Sequence, residues 1–154
     1  MTGRDEIGAM IERGIRPPMM ELLDIDLAEV AEGRVVFTAI PSRRLYNPIG
    51  TVHGGFAATI LDSACGLAAN SATKVPTDCI TLELKISYHA AMHEKTGPIR
   101  AIGTVVSIGS RVAHTEAKLF DANDRVYASA TSTLLLSPRR KRADMGEVGT
   151  GEEG

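Results

Sequence analysis

Apart from histidine, Asp62 is the one acid or base between Arg44 and Lys74, and it lies in the most apolar, small-residue-rich part of the chain. That stretch runs from Asn47 through His53-Gly54-Gly55 to Gly66, with Phe56, Ile60 and Leu61 among alanines. An unpartnered carboxylate is expensive to bury, so an acid here is either paired or used. Just upstream, His53-Gly54-Gly55 opens a helical pattern. The first backbone N–H groups of a helix have no internal acceptor and can face a developing anion. An acid downstream of an anion-binding turn points to hydrolytic or acyl-transfer chemistry.

Asp62 needs a helix to carry it. From about Gly54 to Ser71 the chain reads as helical, with Ala57, Ala58, Ala64, Gly66, Ala68 and Ala69 allowing close approach of neighbours. Phe56, Ile60, Leu61 and Leu67 put bulk on nearly every side, which predicts an enclosed helix. Upstream, residues 5–14 carry Ile7, Met10 and Ile11 at helical spacing, stopped by Arg16-Pro17-Pro18. Residues 19–31 are mixed, and Gly33 to Ile40 is β-branched enough for a strand. Pro41 to Gly50 has loop chemistry. After Pro76 the period becomes two. Ile80, Leu82, Leu84, Ile86 and Tyr88 alternate with Thr81, Glu83, Lys85 and Ser87 in a strand over 78–89. Further β segments follow at 97–108, 111–121 and 125–137, which predicts four strands of meander. The expected class is α+β, a curved antiparallel sheet wrapped around one central helix. Residues 1–138 are expected to form one domain with an N-terminal helix, and 139–154 a disordered tail that opens with a basic tetrad.

Composition narrows the partners. The 154 residues are 44% hydrophobic and 23% charged, ordinary for one globular domain. A net charge of -2 gives no reason to expect nucleic acid or an anionic membrane. Aromatic residues make up 4% with no Trp, too few for base-stacking platforms. No stretch approaches the ~20 apolar residues of a membrane span, and the N-terminus lacks a leader pattern, so a cytoplasmic location is expected. Cys65 and Cys79 are too few for a disulfide scaffold. His89 and His93 have metal-site spacing only on a helix with further ligands, which are not evident.

The pattern Asn47-x5-His53-Gly54-Gly55-x6-Asp62 inside a small-residue helix, followed by an alternating strand, resembles the hotdog-fold acyl-CoA thioesterases, specifically the phenylacetate-pathway (PaaI-type) group. The likeness spans roughly residues 17–137. It implies a hotdog fold, an acyl-CoA substrate, and no cofactor, because coenzyme A is part of the substrate. By the same resemblance, Asp62 matches the catalytic acid, as nucleophile or as general base on water. Gly54 matches the residue whose backbone N–H polarises the thioester carbonyl. Asn47 and His53 match residues that position the thioester and the water, and Thr81 a hydroxyl that orients the water. The physical chemistry agrees, since a thioester needs a donor for its incipient oxyanion and a base or nucleophile opposite. Gly55, Phe56, Ile60 and Tyr88 are the expected substrate-binding residues. Arg43, Arg44, Lys85, Arg111 and the 139–142 stretch are candidates for the coenzyme A phosphates.

Gly54 and Asp62 are eight residues apart, about 12 Å along a helix axis. One carbonyl cannot be held by both from the same helix. The site therefore combines Gly54 of one subunit with Asp62 of another, which predicts at least a homodimer; the resemblance adds pairing into tetramers. Two other functions stay open at this point. One is an acyl-CoA-binding or sensing module without turnover, which would have no need of Asp62. The other is a hotdog hydratase or dehydratase, which places its His and acid differently.

Overall fold

The computed structural model describes residues 1–139. Of the tail expected over 139–154, residues 140–154 lie outside the described residues. Helix α1 (Gly3–Glu12) starts at a capping box: Thr2 Oγ1 accepts from the Asp5 N–H at 3.2 Å, and Asp5 Oδ2 accepts from the Thr2 N–H at 2.9 Å. A second short helix, α2 (Pro18–Leu23), uses Pro18 at its first position, where the missing N–H costs nothing. Asp24 ends it in the left-handed region at φ 54. Strand β1 (Ile25–Ala31) then forms a hairpin with β2 (Arg34–Ala39). The mixed stretch 19–31 thus resolves into a helix end and an edge strand. β1 is half-exposed and bulged between Leu27 and Glu29, which blurs its period.

The expected central helix is α3 (Gly54–Ser71), followed by β3 (Thr77–Tyr88), β4 (Ile99–Ile108), β5 (Val112–Asp121) and β6 (Val126–Pro138). All pairings are antiparallel and the sheet order is β1-β2-β4-β5-β6-β3. The expectation of a four-strand meander is corrected here: only β4, β5 and β6 form one. β3 lies at the far edge, beside β6. The reason is the helix. At ~1.5 Å per residue its 18 residues span about 27 Å, and four strand spacings of ~4.8 Å need about 19 Å. Passing beneath the sheet, α3 carries the chain from β2 to the opposite edge, and the later strands fill the gap.

The enclosed-helix expectation is also corrected. Phe56, Ala57, Ile60, Leu61, Ala64, Cys65 and Ala68 are buried against the sheet, with Phe37, Ile99, Ala101 and Leu119 in the same core. A fully buried Ile or Leu contributes about 1.5–3 kcal/mol, so Ile60 and Leu61 anchor the helix strongly. The contact is close enough that a Cβ on Gly103 of β4 would stand 2.2 Å from the Ala64 carbonyl oxygen. The opposite stripe, Gly55, Ala58, Thr59, Asp62, Ser63 and Gly66, is not covered by the sheet. It is this stripe that carries the acid.

A bulge in β3 matters most for the site. The register against β6 slips between Thr81 and Glu83, leaving Leu82 as the extra residue. Before the slip, Thr77, Cys79 and Thr81 share the face turned toward the helix; after it, Leu84, Ile86 and Tyr88 do. The single alternating face predicted from Ile80 to Tyr88 is therefore two half-faces. Ile80 and Leu82 turn outward and are exposed.

Candidate functional site

Asp62 projects from the uncovered stripe of α3 into a groove of about 720 Å³. Its carboxylate is half-buried rather than fully enclosed, because Ala58, Thr59, Ser63 and Gly66 around it are small and no strand covers them. Thr81 Oγ1 donates to Asp62 Oδ1 at 2.9 Å, across a separation of nineteen residues. The β3 bulge makes this possible by keeping Thr81 on the helix-facing side just before the register changes. One carboxylate oxygen is thus oriented by a hydroxyl and the other is left for a proton.

The His53-Gly54-Gly55 turn lines a second cavity, of about 430 Å³, together with Asn47, Tyr88 and His89. His53 caps the helix: its Nδ1 accepts the Gly55 N–H at 2.7 Å. With Nδ1 accepting, the neutral ring carries its proton on Nε2, a free donor. The Phe56 N–H goes to the His53 carbonyl at 3.0 Å. Among the described residues, the Gly54 N–H has no such partner and remains an available donor at the helix start. Tyr88 donates its hydroxyl to the Gly54 carbonyl at 2.7 Å.

Both glycines are explained by contact. A Cβ on Gly54 would lie 3.0 Å from the Tyr88 hydroxyl, and one on Gly55 would lie 2.9 Å from His53 Nδ1. A Cβ at either glycine would push the tyrosine or the capping imidazole out of its present contact.

Asn47 is committed to its own loop. Its Oδ1 accepts from the N–H groups of Ile49 (3.1 Å) and Thr51 (3.0 Å), and its Nδ2 donates to Thr51 Oγ1 at 2.8 Å. It holds the wall of the second cavity in shape. The expected site residues thus fall into two groups within one chain. Asp62 and Thr81 share the groove; Asn47, His53, Gly54 and Tyr88 share the cavity.

Phe56 and Ile60, expected to line the substrate, face the core at 5% and 0% exposure and border neither space. The helical period puts them on the sheet side of α3, about 120° and 160° around the axis from Asp62. Gly55 stands exposed at the helix start, and Tyr88 is 55% exposed. Sequence reasoning missed Met10, Ile15, Met19 and Met20, which form the groove's far wall. Methionines at a helix–strand junction carry no local signal. Cys79 also borders the groove, and Cys65 is buried beneath α3. Burial pushes both thiols up to about 11, so each is a neutral, packed group near neutral pH rather than a competing nucleophile.

The candidate cations are partly committed. Arg139 is held by Asp78 at 2.9 Å and Glu6 at 3.2 Å, and Arg43 lies 3.9 Å from Glu94. Residues 140–142 lie outside the described residues. His89 Nε2 meets Ser129 Oγ at 2.8 Å, and His93 caps a short turn at Glu94–Thr96. No helix among the described residues is long and apolar enough to cross a membrane.

Residues 49–128 match the family model described as the thioesterase superfamily. A 1,4-dihydroxy-2-naphthoyl-CoA hydrolase from Listeria monocytogenes is 22% identical over 80% of this chain and 98% of its own length. A thioesterase family protein from Silicibacter pomeroyi superposes with a TM-score of 0.77 at 25% identity, covering 86% of this chain and 99% of that one. A variant of the phenylacetic acid degradation protein PaaI from Thermus thermophilus does so with a TM-score of 0.69 at 25% identity, over 77% and 98% of the two chains. The matched residues run from the loop before His53 through α3 and the groove-lining strand to β6, half of the chain and the part that holds every expected site residue but Asn47: this chain belongs to the thioesterase superfamily and has the hotdog fold.

Proposed function

We propose that this protein is an acyl-CoA thioesterase that hydrolyses an aryl- or medium-chain acyl-CoA to the free acid and coenzyme A. Thioester hydrolysis is the enzyme class of the family. The observation that carries the finer reading is the division of the site: an oriented carboxylate in one groove and an unpartnered backbone N–H in a separate cavity. Neither half is sufficient alone, and on one helix they are about 12 Å apart along the axis.

A second copy of the chain supplies the missing half. β3 is an edge strand of twelve residues with one side unpaired in the sheet. Antiparallel pairing of β3 with its own copy, centred on Lys85, sets Leu84 opposite Ile86 and, with Leu82 bulged out of the count, Tyr88 of one subunit opposite Thr81 of the other. Directly opposed residues of an antiparallel pair share a face. Tyr88 is bonded to Gly54 and Thr81 to Asp62, so this pairing brings Gly54 of one subunit toward Asp62 of the next. The assembly is a homodimer with two equivalent sites, open to further pairing into tetramers.

In this site the Gly54 N–H, with His53 Nε2 beside it, holds the thioester carbonyl oxygen. Asp62, oriented by Thr81, takes a proton from a water as the water oxygen adds to the carbonyl carbon. The negative charge moves to the carbonyl oxygen, where the backbone donor is strongest. Collapse expels the coenzyme A sulfur, which takes up the proton, and leaves the carboxylic acid. Direct attack by Asp62 uses the same geometry: its oxygen displaces the coenzyme A thiolate to form a mixed anhydride, and water then cleaves this to the carboxylic acid and free Asp62, its second proton going to the thiolate.

Replacing Asp62→Asn removes the base and keeps the shape. We expect thiol release from acyl-CoA esters to fall by roughly 10²–10⁴-fold with the oligomer intact. Undiminished turnover in that variant would remove Asp62 from the chemistry. Tight acyl-CoA binding by the wild type with no thiol ever released would favour a binding module instead.

A further inference from the structure

At the start of α3 two hydrogen bonds meet in a single peptide group. The Tyr88 hydroxyl donates to the Gly54 carbonyl at 2.7 Å. That carbonyl and the Gly55 N–H are the two ends of one resonant amide, and the N–H donates to His53 Nδ1 at 2.7 Å. The chain of contacts therefore runs from Tyr88 through a backbone amide to the imidazole, whose far nitrogen carries the Nε2 proton. We propose that Tyr88 is a positioning residue acting through the Gly54–Gly55 peptide on His53: its hydroxyl strengthens the donor that holds Nδ1, and so fixes and strengthens the Nε2–H that meets the thioester oxygen. This rests on the thioesterase reading above. No proton moves along the chain; what it transmits is polarisation.

Three observations separate this role from plain packing. The carbonyl does not need the tyrosine. Gly54 is the first residue of α3, so its carbonyl already receives the helical N–H four residues on, that of Ala58. The hydroxyl is a second donor on the same oxygen, and its effect is to polarise the peptide. Hydrogen bonds joined in this way strengthen one another by roughly 10–30% per bond. Nor does burial within the chain explain the ring, because Tyr88 is 55% exposed at the end of an edge strand. The register slip in β3 turns it to the helix-facing side, and the hydroxyl contact holds it there. The approach is also made by the phenol tip. A Cβ on Gly54 would stand 3.0 Å from the Tyr88 hydroxyl and 3.1 Å from Cζ.

The imidazole reads this bond directly. Only a neutral ring protonated at Nε2 can accept at Nδ1, because an imidazolium donates from both nitrogens. A stronger donor on Nδ1 draws electron density from the ring and makes Nε2–H the better partner for an oxygen that gains charge. That gain is largest in the transition state, so loss of the hydroxyl falls on kcat more than on KM. One strand thus serves both halves of the site: Thr81 orients the acid, and Tyr88 the donor.

The test removes the hydroxyl and keeps the ring. Thiol release from butanoyl-, octanoyl- and phenylacetyl-CoA is measured for the wild type, Tyr88→Phe, His53→Ala and the double variant, each checked for folding by thermal melting. We expect Tyr88→Phe to lower kcat roughly 3- to 10-fold, the effect of about one net hydrogen bond, with KM changed less than about twofold. In the His53→Ala background the same change lowers kcat less than about twofold, because the chain of contacts has lost its acceptor. Equal losses in the two backgrounds, or an unchanged kcat in Tyr88→Phe, overturn the role of Tyr88 and leave the thioesterase reading standing. A second readout is independent of turnover. In the isotope-labelled full chain, magnetic resonance of the His53 ring nitrogens, identified by their loss in His53→Ala, should show a proton on Nε2 and a hydrogen-bonded Nδ1. In Tyr88→Phe the Nδ1 resonance moves toward that of an unbonded ring nitrogen, and the Gly55 amide proton moves upfield. A wild-type ring protonated at Nδ1 overturns the proposal even where a variant fails to fold, and so do resonances identical in wild type and Tyr88→Phe. Absence of thiol release from every ester overturns both readings.

Discussion

At the scale of single residues, the site is organised by short contacts that fix which atoms remain free. His53 spends Nδ1 on the Gly55 N–H and so keeps a proton on Nε2. Tyr88 takes the Gly54 carbonyl and leaves its N–H untouched. Thr81 takes one oxygen of Asp62 and leaves the other. In each case a neighbour occupies one side of a group and aims the opposite side at the substrate. The Thr81 contact is the simplest to test. Thr81→Val keeps the shape and removes the donor, so Asp62 loses its orientation. Misplacement of a catalytic group by about 1 Å can cost roughly 10²-fold, so we expect kcat to fall between about 10- and 100-fold, and Thr81→Ser to recover most of it. Steady-state thiol release for the three proteins decides this. An unchanged kcat in the valine variant would make the hydroxyl a strand ornament.

At the scale of elements, two features place these residues: the seating of α3 on the sheet and the bulge in β3. The helix sits where it does because Gly103 leaves room for the Ala64 carbonyl. A methyl group there meets backbone rather than a yielding side chain, so the helix must lift or the strand must bend. We expect Gly103→Ala to destabilise the fold by at least about 3 kcal/mol, the upper end of ordinary overpacking. For a domain of this size that lowers Tm by roughly 6–12 °C, readable by calorimetry. A melting temperature equal to that of the wild type would mean that the packing at this crossing is looser than the geometry implies. The bulge has the complementary role. Were Leu82 paired in a regular strand instead of bulged, Thr81 and Leu84 would lie on opposite faces of β3, and one of them would leave the groove.

At the scale of the whole molecule, the proposed site is divided between two cavities of one chain. Subunit mixing distinguishes a shared site from a self-contained one. Asp62→Asn removes the base, and Gly54→Val drives a bulky side chain against Tyr88. Each variant alone is expected to be inactive. In a mixed dimer one site collects both defects and the other has neither, so an equal mixture, unfolded and refolded together, regains about a quarter of wild-type turnover. A mixture as inactive as its parents would place both halves of the chemistry within one subunit.

Much of this was legible in the chain itself. The glycine turn, the small-residue helix and the lone acid are local signals; they located α3 and marked Asp62 and Gly54 as candidates. The proposal of a second subunit, too, starts from eight residues at a fixed helical rise. The period of two located β3 and the three strands after it. Tertiary structure decided the rest, for reasons that no local pattern contains. The strand order depends on α3 carrying the chain under the sheet, so β3 reached the far edge instead of the meander. The face that Thr81 shows depends on one extra residue left unpaired against β6, which alternation alone cannot reveal. Phe56 and Ile60 became core rather than lining because the sheet covers only one side of the helix, and which side is settled by packing. The methionine wall of the groove comes from a segment more than forty residues before Asp62, brought there only by the fold.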